Sequence, residues 1–563
     1  MAAGVASGRD CSPLRRRGAK DSLLRSLRIA GLVGLAWVGL AQSPADGPRV
    51  VNFYSDIDRS QQAYALYVPK AFDPAKKYPL LVSLHSEESN YRLNMKQVFG
   101  VSARYGELDS INMRYNPPLP DAEFFVACPL ARGTMGYEGI AEQDVYDMLA
   151  DVERQYPIDP DRVYLTGISM GGGGALRLAL TRPDVWAAVL PVCAATRPGL
   201  EELTPNALDL PVRLVHGELD PIVPVQSSRD WHRRLLDLHD PAEYLEFPAI
   251  RHNAWDAAYR DGTAFAWFGK YRRNRFPERV RFVTRSYRYR SAYWVRIDGL
   301  TPGTPASVDA RRSDNQVQVK TSGIDGFTIS LDRPVTAVTI DGAAVRIRPA
   351  ASMSFVKTAR GWSTGVFPAL PKHAGAEGPI AEAVSGRHIY VYGSLGTHTA
   401  EELDARRRLA ESAARWPTAQ EHLTLSLPVK VDSEVTDADI DSADLVLFGT
   451  AETNSLIARF AVRLPLALSP AAADYGLVFV APLGKHYVLV NSGLPWWTGA
   501  DERNRAGDRF APAQYRLLST FGDYVLFEGS LAHVVAEGRF DRNWKAPADA
   551  AAKMAATGTV TVH

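Results

Sequence analysis

Cysteine is scarce: Cys11, Cys128 and Cys193 are the only three in 563 residues. A chain this long with so few thiols is not a disulfide scaffold and must stand on its core. Neither charge sign dominates, with 64 basic against 63 acidic groups. That balance argues against nucleic acid or any other polyelectrolyte partner. The longest apolar run, IAGLVGLAWVGLA, has 13 residues, short of the roughly 20 that span a bilayer. Twelve histidines include no H-E-x-x-H pair and no His/Cys metal spacing. Gly269-Lys270 and Gly484-Lys485 lack the Ser or Thr that completes a phosphate loop. No internal repeat is present. Hence no metal and no cofactor is expected.

Arg15, Arg16, Arg17, Lys20, Arg25 and Arg28 precede that 13-residue run, which ends in Gly39-Leu40-Ala41. A basic region, a short apolar stretch and small residues at a cut site describe a secretory signal over residues 1–41. The expected location is therefore secreted or periplasmic, with no membrane span after cleavage and an N-terminal anchor if the signal is retained. Residues 42–563 would carry 57 basic and 61 acidic groups. Cys128 and Cys193 fall in the apolar runs EFFVACP and AAVLPVCA. Both read as strands of one sheet with two strands between them. At about 4.8 Å per step they lie beyond the ~7 Å limit for a disulfide, so two buried free thiols are expected.

From residue 50 to 276, strands alternate with helical stretches. VVNFYSDI and AYALYVP open as a hairpin; PLLVSLH, EFFVACP, RVYLTGIS, AAVLPVCA, PVRLVHG and EYLEFPA follow. Continuous apolar runs of this kind suit strands buried on both faces. GIAEQDVYDMLADVERQY places Ile140, Val145, Met148, Leu149 and Val152 on one helical face. The expectation is a doubly wound α/β domain with its ligand site beyond the carboxyl ends of the strands. Residues 277–370 read as a small antiparallel β-sandwich, 371–379 as a linker, 380–545 as a second α/β domain and 546–563 as a flexible tail.

RVYLTGISMGGGGAL is the informative stretch: a buried strand, the turn Gly167-Ile168-Ser169-Met170-Gly171, then an amphipathic helix. G-x-S-x-G between strand and helix is the pattern of a nucleophile elbow, with serine at the apex of a strained turn. Downstream, PVRLVHG runs into Glu218-Leu219-Asp220-Pro221, and EYLEFPA into Arg251-His252-Asn253. Ser169 alone is a weak nucleophile. His252 would take its proton, and Asp220 would fix the imidazole tautomer. Glu218 competes as the acid, but Asp220 fits the spacing. Gly393-Ser394-Leu395-Gly396 follows a strand too, yet lacks the first glycine at elbow spacing and reads as a structural turn.

RVYLTGISMGGGGAL, VHGELDPIVP and RHNAW resemble the catalytic domain of secreted α/β hydrolases related to prolyl oligopeptidase; polyhydroxybutyrate-depolymerase-like and feruloyl-esterase-like enzymes share these features. The resemblance covers residues 50–276. It implies an α/β-hydrolase sheet, doubly wound and mostly parallel, and a serine hydrolase acting on an ester- or peptide-containing substrate, polymeric ones included. The oxyanion hole is expected from the main-chain N–H of Met170 and of Ser86 or Glu87. There the chain departs from its relatives, which usually carry His-Gly where this one has His85-Ser86-Glu87-Glu88. Glu87 and Glu88 are also candidates to grip a cationic substrate group. The propeller that filters substrates in true oligopeptidases has no counterpart before Val50, which tilts the expectation toward esters over peptides. The altered loop leaves open a reading from another class, an inactive cell-surface binding protein on a hydrolase fold.

Overall fold

The computed structural model describes residues 47–87, 89–101, 119–238, 242–416, 425–501 and 510–563. The signal sequence expected over residues 1–41 and Glu88 lie outside them.

Eight strands form the first sheet: β1 (Gly47–Ser55), β2 (Ser60–Val68), β3 (Tyr78–Leu84), β4 (Phe125–Pro129), β5 (Ile158–Ile168), β6 (Ala188–Val192), β7 (Arg213–Gly217) and β8 (Glu243–Phe247). Their order across the sheet is β1-β2-β4-β3-β5-β6-β7-β8. β1 and β2 form an antiparallel hairpin and β2 meets β4 antiparallel, while β4 through β8 run parallel. Every residue of β3, β4 and β6 is buried, as continuous apolar runs require. Cys128 on β4 and Cys193 just after β6 are separated by β3 and β5, and both are buried free thiols.

Register places the functional segments. Leu84 pairs with Gly167, Ile168 with Val192, Val192 with Val215 and Gly217 with Phe247. The residues after β3, β5, β6, β7 and β8 therefore emerge along one carboxyl edge. The helix Ile140–Gln155 buries the predicted Ile140, Val145, Met148, Leu149 and Val152. Each such side chain is worth about 1.5–3 kcal/mol when fully buried. The same helix also buries Glu142, Asp144 and Asp151, which periodicity did not foresee. They are buried with partners: Asp144 and Asp58 flank the fully buried Arg132, and the Tyr64 hydroxyl donates to Asp151 at 2.7 Å.

The β-sandwich pairs two five-stranded sheets between Arg279 and Thr364. Val280, Phe282, Trp294, Ile297, Phe327, Ile329 and Phe355 fill its core. One pairing, Gln316–Ser322 with Ala337–Ile340, is parallel, so the sandwich is not wholly antiparallel. The second α/β unit carries a seven-stranded sheet. His388–Tyr392 pairs parallel with Val429–Val431 and Asp444–Phe448, and the latter with His486–Gly493. The remaining three strands, Tyr475–Leu483, Tyr524–Glu528 and Val534–Gly538, are antiparallel.

Two expectations are corrected. The alanine-rich end is ordered: Ala548–Ala556 is a helix that buries Met554, and Val560–Val562 pairs antiparallel with Leu466–Leu468. Alanine's high helix propensity and an open strand edge account for it. Residues 371–379 are not a free linker. Lys372 is buried in an ion pair with Asp523, and Glu377 accepts bonds from the Tyr287 and Arg288 main-chain N–H groups. The described residues from 47 onward accordingly pack as one compact unit. The first sheet's unit meets the sandwich through the Arg285–Glu202 ion pair and through Asn206, whose side-chain amide donates to the Val283 carbonyl at 2.9 Å and accepts from the Val283 N–H at 2.6 Å, while also donating to the Leu180 carbonyl at 2.8 Å.

Candidate active site

β5 ends at Ile168, and Ser169 turns the chain with φ 56° and ψ −112° before the helix Met170–Thr181 begins. A left-handed φ at a non-glycine costs on the order of 1–3 kcal/mol. Main-chain bonds hold it: the Ser169 N–H donates to Val192, and the Ser169 carbonyl accepts from Gly173 and Ala195 at 3.0 and 3.1 Å. Glycine is needed on either side. A Cβ on Gly167 would stand 2.2 Å from the Gly171 carbonyl oxygen, and one on Gly171 would stand 2.2 Å from that of Leu84.

The structure brings Ser169, His252 and Asp220 together. His252 Nε2 lies 3.0 Å from Ser169 Oγ, and His252 Nδ1 lies 2.7 Å from Asp220 Oδ2. Facing a carboxylate, Nδ1 carries the proton, which leaves Nε2 to accept from the serine hydroxyl. Asp220 Oδ1 accepts from the main-chain N–H groups of Ile222 and Val223 at 2.8 and 3.0 Å. Burial pushes the Asp220 carboxyl up, but the His252 bond and those two N–H groups outweigh it, so it is held below the ordinary carboxylate range. The Asp220 side chain is fully enclosed while that of His252 is 20% exposed, so of this pair only the imidazole faces the open site. Glu218, the rejected acid, instead accepts from the Ala249 N–H at 3.0 Å.

A second imidazole reaches the same carboxylate, and the sequence reading passed over it although it opens the H-G-x-x-D pattern. His216 Nε2 sits 3.1 Å from Asp220 Oδ2 and 3.0 Å from the Val223 carbonyl, while Nδ1 is 2.7 Å from Ser228 Oγ. Two acceptors around Nε2 place the proton there, with the Ser228 hydroxyl donating to Nδ1. Burial holds His216 below its ordinary value against the pull of Val223 and Asp220, which keeps it neutral. Cys193 completes this nest by donating its thiol to the His252 carbonyl at 3.2 Å. Cys193, His216 and Asp220 offer ligand atoms within 4.8 Å of one another. Burial, followed by the Asp220 charge, pushes the Cys193 thiol up to about 12, so it serves as a hydrogen-bond donor.

Met170 is the first residue of its helix, where an N–H has no intrahelical acceptor. The loop after β3 is clamped from the β4 side. Tyr137 donates its hydroxyl to the His85 carbonyl and Thr134 to that of Glu87, both at 3.0 Å. The buried His85 ring lies 3.0 Å from the Leu130 carbonyl and 2.8 Å from that of Ser86. Ser86 and Glu87 thus occupy the carboxyl edge beside β5, as expected of that loop. The Thr134 and Tyr137 bonds and the His85–Leu130 contact carried no sequence signal, because each joins main-chain and side-chain atoms far apart along the chain. Ser394 is a turn residue whose hydroxyl donates to Asp432 at 2.6 Å.

Residues 139–265, which contain Ser169, Asp220 and His252, match the phospholipase/carboxylesterase family model. This unit has the α/β-hydrolase fold, with the nucleophile turn after β5 and the acid and histidine after β7 and β8. The hydrolase unit is similar to cutinase est1 of Thermobifida alba, at 36% identity over 98 residues, covering 17% of this chain and 31% of the relative. Cutinase 1 of Thermobifida cellulosilytica is 33% identical over 104 residues, covering 17% and 35%. The chain thus spans about a third of the length of these curated relatives. Among solved structures, a thermostable esterase aligns at 24% identity and a TM-score of 0.33, covering 40% of this chain and 63% of that one. No helix among the described residues is long and apolar enough to cross a membrane.

Proposed function

We propose that the protein is an exported serine hydrolase that cleaves carboxylic esters through an acyl-enzyme. The observation that carries the reading is the 3.0 Å approach of His252 Nε2 to Ser169 Oγ, with Asp220 bonded to the far side of the ring. In this reading His252 removes the Ser169 proton as Oγ attacks the ester carbonyl. The tetrahedral oxyanion is met by the main-chain N–H of Met170 and of Ser86 or Glu87. His252 then gives the proton to the departing alkoxide, and the C–O bond breaks. Water, deprotonated by the same imidazole, hydrolyses the acyl-Ser169 ester and restores the enzyme. Asp220 stays ionised throughout and stabilises the imidazolium. The phospholipase/carboxylesterase match supports ester over peptide chemistry, and the basic and apolar segments of residues 1–41 support export.

The test is a panel of p-nitrophenyl esters against dipeptide and prolyl amides, with Ser169→Ala and Asp220→Asn alongside wild type. Ester turnover that falls by about 10⁴-fold in Asp220→Asn and is lost in Ser169→Ala is expected. Faster amide than ester cleavage would make the chain a peptidase. A folded wild type that turns over neither would favour the binding-protein reading.

A further inference from the structure

A cavity of about 160 Å³ lies at the carboxyl edge of the hydrolase sheet, and part of its wall comes from the second α/β unit. Tyr137 and Glu138 from the loop after β4, Met170 and Gly173 from the nucleophile helix, and Leu200 from the segment after β6 line it. Phe510 lines it from the C-terminal unit, and the residue is 5% exposed. That wall is seated firmly. Tyr515, three residues after the Pro512 cap of its helix, packs so closely on Gly139 that a Cβ there would meet the Tyr515 hydroxyl at 2.7 Å.

We infer that this cavity receives the acyl chain of the substrate and that Phe510 sets the chain's length. The inference rests on the ester-hydrolase reading above. Met170 links the two, because its N–H is a proposed oxyanion donor and the residue lines the cavity. The side of the site is fixed by proton delivery: His252 must reach the leaving group, so the leaving alcohol sits on the His252 side. Neither Ser169 nor any residue of the loops that carry Asp220 and His252 lines the cavity, which borders the nucleophile through Met170 instead, on the acyl side. Its lining is mixed. Met170, Ala195, Leu200 and Phe510 present apolar surface, while the Glu138 carboxylate is neutralised by Arg177 and Arg197. The volume is close to the ~150 Å³ that accepts a benzene-sized ligand, so an unbranched acyl group of about six carbons fills it. The C-terminal unit thereby becomes part of the substrate site.

The experiment uses the full chain and p-nitrophenyl esters from acetate to decanoate, comparing wild type with Phe510→Ala and Phe510→Trp. In wild type kcat/KM should rise by about fourfold per methylene up to roughly hexanoate and then fall. Phe510→Ala should raise the decanoate-to-acetate ratio of kcat/KM at least tenfold, and Phe510→Trp should lower it. Fluorophosphonate labelling of Ser169 is followed in each protein. Variants that label like wild type but keep its chain-length profile overturn the inference and leave the hydrolase reading standing. Absence of Ser169 labelling in folded wild type removes both.

Discussion

Gly171→Ala is a severe test of the nucleophile turn despite adding only one methyl group. The new methyl carbon would lie 2.2 Å from the Leu84 carbonyl oxygen and 2.6 Å from that of His85. An ordinary C···O approach is about 3.3 Å, so helix and strand must part by about 1 Å. Neither side yields easily. Leu84 is locked in register with Gly167, and the His85 carbonyl accepts the Tyr137 hydroxyl. Overpacking of this kind costs about 1–3 kcal/mol, against which alanine's better helix propensity returns about 1 kcal/mol. The displacement also separates the Met170 N–H from those of Ser86 and Glu87, the proposed oxyanion donors, and a shift of about 1 Å there costs on the order of 10²-fold in rate. Urea midpoints at unchanged m-value and ester kcat measure the two effects. Gly386→Ala is the control, because nothing lies within 4 Å of its Cβ position; its stability should stay within about 0.5 kcal/mol of wild type. If Gly171→Ala matched that control in both midpoint and kcat, the packing account of the elbow would be wrong.

His216→Phe removes a donor from Asp220 Oδ2 and strands the Ser228 hydroxyl; kcat should fall about tenfold, a loss of about 1.4 kcal/mol, near the lower end of the ~1.5–3 kcal/mol of hydrogen bonds to charged groups, with His216→Gln recovering part of it. His388 is fully buried, and that burial lowers it from 6.5 to about 4. Between those values the unfolded chain binds a proton that the folded chain refuses, so stability is full above pH 6.5 and declines as pH falls toward 4. Urea midpoints at pH 7.5 and 5 should show His388→Phe shrinking the wild-type difference by about 2 kcal/mol. Lys372→Met strands the buried Asp523 carboxylate, whose next cation, Arg539, is 3.9 Å away. Unfolding free energy should drop by about 3–5 kcal/mol, and Lys372→Met with Asp523→Asn should recover part of the loss.

All eight strands of the first sheet were legible in the sequence: β3, β4 and β6, buried throughout, write themselves as unbroken apolar runs, whereas β8 was read from its Tyr, Leu and Phe although none of its residues is fully buried. Ser169, Asp220 and His252 were legible for a related reason. Each follows the end of such a run, and a parallel sheet delivers those ends to one edge. The clamp on the oxyanion loop was not legible, since Tyr137 and Thr134 act on main-chain carbonyls some fifty residues away. His216 was visible as a residue but not as a second donor to Asp220, which depends on how the turn from Glu218 to Val223 folds back. Residues 371–379 and 546–563 looked loose because Gly, Pro and Ala carry little hydrophobic pattern. Their order comes from Lys372 finding Asp523 and from Val560–Val562 finding the edge of Leu466–Leu468.

Treatment of the folded chain with a fluorophosphonate, followed by mass mapping of the modified peptide, addresses the proposed nucleophile most directly. One adduct per chain on Ser169 is predicted, absent in Ser169→Ala and strongly slowed in His252→Ala. No adduct, or one on another serine that persists in Ser169→Ala, would contradict the account.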